Sequence, residues 1–106
     1  MLIMSDINSV VDNFRFTWDE GKRQENIRKR NLDIAVLAKK VFADPNVVIE
    51  PDKRKDYGEE RYQAYGLADD LRICICFTPR DEVMHLITIH RMHKKNWGKH
   101  YGGKIG

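Results

Sequence analysis

His85, His90, His93 and His100 are the only histidines of this chain, and they fall close together near its C-terminal end. Arg91, Lys94, Lys95, Lys99 and Lys104 lie among and after them, and residues 91–106 contain no acid. The whole chain carries +3, so those five charges leave residues 1–90 at −2. Imidazoles titrate near neutral pH and can take or give a proton. Arg and Lys supply positive charge where a phosphate gains negative charge. Together these groups meet the needs of RNA cleavage without a metal: a base for the 2′-hydroxyl proton, cations for the crowded phosphate, and an acid for the leaving oxygen. On this reading Arg61 and Arg91 bind the phosphate and stabilise its charge, while His85 or His90 transfers the proton. Arg72, Arg80, Lys94 and Lys95 hold the RNA backbone, since phosphate contacts dominate nucleic-acid affinity. Other classes compete with it: a solvated basic helix end, a non-catalytic nucleic-acid-binding protein, or an interaction module whose basic edge docks an acidic partner.

No cofactor is implied. Gly58, Gly66, Gly98, Gly102 and Gly103 are turn and tail glycines, not a phosphate loop. His90-x-x-His93 offers two metal ligands with no third at a diagnostic spacing, so no metal is expected. Cys74 and Cys76 alternate within an apolar run; next-but-one strand neighbours are badly placed for a disulfide and read as half-buried fillers.

The elements that would position these groups follow from capping and periodicity. Phe14, Phe16 and Trp18 alternate, giving a strand over 14–18. Asp19 caps a helix to about residue 30, with Glu20 early, Arg28-Lys29-Arg30 late and Asn31 in the closing left-handed position. Asp33 starts a second helix, with Ile34, Leu37, Ala38, Val41 and Phe42 at helical spacing, and Asp44-Pro45 ends it. Strands follow over 47–49, 61–66, 71–78 and 83–91, then a short helix over 92–101. The order predicts an α+β domain: an N-terminal strand and two helices packed on an antiparallel sheet, with a short C-terminal helix. If each hairpin loop holds four residues, Tyr62 faces Ile75, Ala64 faces Ile73, Phe77 lies beside Met84 and Ile75 beside Leu86. Arg61, Cys76 and His85 then form one row on the other face, the outer two about 10 Å apart. A one-residue slip would turn His85 into the core.

At 106 residues, 42% hydrophobic and 33% charged, the composition suits one small domain over 13–101, with a flexible lead-in over 1–12 and a flexible tail over 102–106. No apolar run approaches the roughly 20 residues that span a bilayer. The first residues lack the basic-then-apolar order of a secretory signal, so the expected location is the cytoplasm, with no membrane partner.

Several blocks, in order, resemble the BrnT family, the ribonuclease toxins of BrnT/BrnA type II toxin–antitoxin modules. They are Phe16-x-Trp18-Asp19-x-x-Lys22, Asn26-x-x-Lys29, Val41-Phe42-x-Asp44-Pro45, Gly58-Glu59-x-Arg61-Tyr62, Tyr65-Gly66 and the strand over 71–77. The resemblance implies a RelE-like α+β fold and an endoribonuclease that arrests growth. It also implies a BrnA-like ribbon-helix-helix antitoxin that joins the toxin in a heterotetramer and carries the pair to operator DNA. Three places depart from the family pattern. The last strand, usually Arg-Ile-Ile-Ser-Ala-Arg, reads His85-Leu86-Ile87-Thr88-Ile89-His90 here. The family's Lys-His-Gly after the first helix reads Lys29-Arg30-Asn31, and the acid of the last helix is replaced by Asn96. Exchanging guanidinium for imidazole makes a phosphate contact pH-dependent.

Overall fold

The computed structural model describes residues 15–54 and 56–101; the lead-in and tail expected from the sequence lie outside them. Asp19 separates β1 (Phe16–Trp18) from α1 (Glu20–Arg30), accepting the Lys22 N–H at 3.0 Å. Asn31, at φ 56°, ends α1 in the left-handed region and returns its own N–H to Ile27. Asp33 caps α2 (Ile34–Ala43) through the Ala35 N–H, and its two oxygens also take Nε and Nη2 of Arg23 at 2.9 and 3.0 Å. That fork fixes one helix on the other. The apolar stripe of α2, Ile34, Leu37, Ala38, Val41 and Phe42, is buried as its spacing predicts.

Five strands form one sheet in the order β1-β5-β4-β3-β2, with β2 Val48–Pro51, β3 Tyr62–Ala68, β4 Leu71–Arg80 and β5 Val83–Arg91. Neighbours are antiparallel except at one edge, where β1 runs parallel to β5. A short helix, α3 (Lys94–Trp97), follows β5. The fold class is the α+β arrangement expected. Among the described residues no helix is long and apolar enough to cross a membrane.

The register differs from that expected. Each hairpin turns through two residues, Asp69-Asp70 and Asp81-Glu82, all four with φ between 47° and 68°. This is the mirror-image turn whose twist suits paired strands. Tyr62 therefore faces Phe77 and Ala64 faces Ile75; Phe77 faces Leu86 and Ile75 faces Ile89. A bulge then breaks the ladder: Phe77 pairs with Leu86 but Cys76 with Thr88, leaving Ile87 extra. Strict alternation would set His85 and His90 on opposite faces; the bulge puts both on the face away from α1 and α2. It sends Arg91, paired with Ile73, to the helix side.

The main core lies between the sheet and α2, where Phe42 stacks on Phe16 at 5.6 Å and meets the edge of Phe77 at 5.3 Å. At Gly66 α2 lies tight against β3: a Cβ there would lie 2.8 Å from the Val41 carbonyl oxygen and 2.9 Å from Val41 Cγ1. Because the obstacle includes backbone, Gly66→Ala should cost about 1–3 kcal/mol, read as a lower urea midpoint at unchanged m. On the opposite face the segment after β5 packs Trp97 against Tyr65 and Cys74. Tyr101 there donates to Asp44, and His100 stacks on Tyr65 with ring centroids 4.2 Å apart.

Candidate active site

The face of the sheet opposite α1 and α2 gathers the polar groups. The expected row of Arg61, Cys76 and His85 is replaced by Arg61, Thr78 and His85, because the two-residue turns move the pairing by two. Thr78 pairs with His85, and Arg61 stands one step before the Tyr62–Phe77 pair. β1 extends the row with Thr17, which pairs with His85 and places Oγ1 2.9 Å from its Nδ1. That hydrogen bond orients the ring and leaves Nε2 for a ligand. Burial, and next the nearby charge of Arg80, hold His85 below the ordinary imidazole value, so the ring is neutral at neutral pH.

Glu59 joins the two arginines of this end. Its carboxylate accepts from Arg61 Nε at 3.2 Å and from Arg80 Nη2 at 3.0 Å. The hydrogen bond from Arg80, then that from Arg61, hold Glu59 below the usual carboxylate range against the opposing effect of burial. The Arg61 guanidinium also sits 4.0 Å above the Tyr57 ring. Two guanidinium groups thus meet at one carboxylate beside a neutral imidazole, which suits a dianionic phosphorane better than either cation would alone.

The structure does not bring the other expected residues to this spot. His90 pairs with Cys74, four β4 positions from the Thr78–His85 pair and hence about 13 Å away. The two histidines cannot serve one phosphate. Arg91 lies six β5 residues, roughly 20 Å, beyond His85 and on the helix-bearing face. It shares a small cleft with Arg72 and His93, while Arg72 Nε donates to the Met92 carbonyl at 3.0 Å. Lys94 and Lys95 are exposed on α3. The set divides into one end with Arg61, Arg80 and His85, another with Arg72, Arg91, Lys94 and Lys95, and His90 between them.

Sequence reading missed two features. Asp52, its side chain fully buried, accepts from Arg54 Nε at 2.9 Å and Nη2 at 2.8 Å, and from the Tyr57 hydroxyl at 3.3 Å. Arg54 foremost holds that carboxylate far below its usual range. The short spacing of Asp52 and Arg54 was the available signal. The second is Arg30, whose Nη1 lies 3.3 Å from His90 Nδ1 and donates to the Ile89 carbonyl at 3.2 Å. Cys74 and Cys76 are buried free thiols, and burial pushes Cys74 up to about 12, so both are protonated fillers. Among the described residues no three His, Cys, Asp or Glu side chains gather as a metal site.

The family described as "ribonuclease toxin, BrnT, of type II toxin-antitoxin system" matches residues 18–96, most of the chain, including Arg61, Thr78, Arg80 and His85. The chain belongs to the BrnT family. Comparisons with curated proteins and with solved structures gave no match. Membership makes this a chain of a type II toxin–antitoxin ribonuclease family, for which an antitoxin protein is the implied partner. Burial, and then Arg30, lower His90 below the ordinary imidazole value, which keeps it neutral beside its cationic neighbour.

Proposed function

We propose that this chain is an endoribonuclease toxin that cuts RNA at the Arg61–Thr78–His85 row without a metal and so arrests growth. The observation that carries this reading is the convergence of His85 with Arg61 and Arg80 in a family of ribonuclease toxins. His85 Nε2 takes the 2′-hydroxyl proton as that oxygen forms its bond to phosphorus. The bond from phosphorus to the 5′-oxygen breaks, and the departing oxygen takes a proton from solvent. Arg61 and Arg80 stabilise the charge between these events. His90 with Arg30, and then Arg72, Arg91, Lys94 and Lys95, hold the RNA backbone further along the sheet. A BrnA-like ribbon-helix-helix antitoxin, paired with the toxin in a heterotetramer, is proposed to neutralise it and to bind operator DNA for the complex.

The test is single-turnover cleavage of mixed-sequence RNA in EDTA. Specific fragments are expected, with a rate that falls only below the ordinary imidazole value of about 6.5, because the fold lowers the His85 pKa. Folding stability shares that sign. The unfolded chain binds more protons between the folded value and about 6.5, so stability is full above that pH and declines as pH falls through the window. Denaturant midpoints at each pH therefore separate loss of fold from loss of base. Intact RNA at every pH, free or ribosome-bound, from a folded protein that still binds it would favour a non-catalytic nucleic-acid-binding protein. That second reading is motivated by His85 and His90, imidazoles where the resemblance leads one to expect arginines.

A further inference from the structure

A cleft of about 430 Å³ opens on the face opposite α1 and α2, between the end of β2, β3 and the segment after β5. That volume lies in the range of small-ligand sites, roughly 300–1,000 Å³. Arg54 stands at its wall with 70% of its side chain exposed, although Nε and Nη2 are fixed on the fully buried Asp52. Among the described residues Nη1 has no hydrogen-bond partner, so the fork leaves one donor edge held rigidly for an acceptor. Lys53 and Lys99 line the same cleft. Its acids are already engaged, Asp52 by Arg54 and Glu50 by His100 at 2.9 Å. His100 also lines the cleft while stacked on Tyr65, their planes 3° apart. Arg54 is joined to the row above by contact: Asp52 links it to the Tyr57 hydroxyl, and the Tyr57 ring lies under Arg61.

We propose that this cleft is a subsite for one unpaired nucleotide next to the cleaved linkage, its phosphate on Arg54 Nη1 and its base extending the His100–Tyr65 stack. The inference rests on the ribonuclease reading and adds to it a recognition element outside the row that does the chemistry. A single strand fits because an anchored guanidinium beside an aromatic stack is how unpaired nucleotides are held. Asp52 is a positioning residue: it aims Arg54 and touches no RNA.

The test uses uncleavable 2′-O-methyl oligoribonucleotides, shortened one nucleotide at a time from either end, with Kd measured across salt concentrations. Arg54→Ala should raise Kd about tenfold and lower the slope of log Kd against log salt by about 0.7, the loss of one single-strand phosphate contact. Removing the nucleotide that occupies the cleft should weaken wild type more than Arg54→Ala, since the phosphate contact is already missing from the variant and only the stack remains to be lost. Arg54→Lys should recover most of the salt slope. If Arg54→Ala binds with unchanged Kd and slope while the wild type cuts RNA, the subsite is wrong and the ribonuclease reading stands. If Arg54→Ala and Arg54→Lys lose affinity equally, with melting midpoints lowered alike, Arg54 is structural and the subsite is again wrong. A wild type that neither binds nor cuts RNA overturns both.

Discussion

Arg61→Ala should slow RNA cleavage by about 10²–10³ and His85→Ala by about 10²–10⁴, with little change in thermal midpoint. Little stability is at stake in either. Arg61 meets Glu59 in a partly exposed ion pair, a contact worth about 0–1 kcal/mol, and His85 shares one exposed hydrogen bond with Thr17. Their expected importance lies in the charge and the proton they bring to one row. Thr17→Val supplies the finer check. It removes the partner of Nδ1, so the pH at which the rate falls should move while RNA affinity stays the same. That outcome belongs to a residue that orients the imidazole and not to one that only packs. Unchanged cleavage in both Arg61→Ala and His85→Ala would remove the row from the chemistry.

The second large effect is a rescue. His90→Arg alone sets two guanidinium groups against each other at a contact of 3.3 Å, and Arg30→His alone leaves two imidazoles and no permanent cation. Each should lower kcat/KM about tenfold. The exchange of both, Arg30→His with His90→Arg, restores one guanidinium against one imidazole and should return to within about threefold of wild type. The coupling expected of touching charged groups is about 0.5–3 kcal/mol. Additive losses in the double variant would show that the two positions act separately.

Local chemistry made much of this fold readable. Asp19, Asn31, Asp33 and Asp44-Pro45 bound two helices because each residue satisfies or terminates a specific set of backbone groups. The buried stripe of α2 follows from spacing alone. Turn length was not readable in the same way: Glu82 at φ 68° is a poor intrinsic choice for a left-handed position, so the sequence favours a longer loop than the strands adopt. The resulting error was even-numbered, and so the assignment of faces survived it: His85 stayed on the side opposite α1 and α2. The bulge at Ile87 is odd-numbered and reversed His90 and Arg91, with no Gly or Pro to mark it. Contacts made by long polar side chains between distant segments, Arg30 on His90 and Arg80 on Glu59, are set by tertiary placement, and no local pattern encodes them.

The parallel edge of the sheet has a consequence for the order in which the protein is made. β1 is the first strand described and β5 the last, yet they are neighbours, and Thr17 meets His85 across a separation of 68 residues. During synthesis β1 therefore has nothing to pair with until β5 has left the ribosome. Every shorter nascent chain lacks His85 itself as well as the strand that carries it. On the function proposed above, the row is thus completed by the same late event that closes the sheet, and a chain still lacking β5 has no site at which to cut RNA.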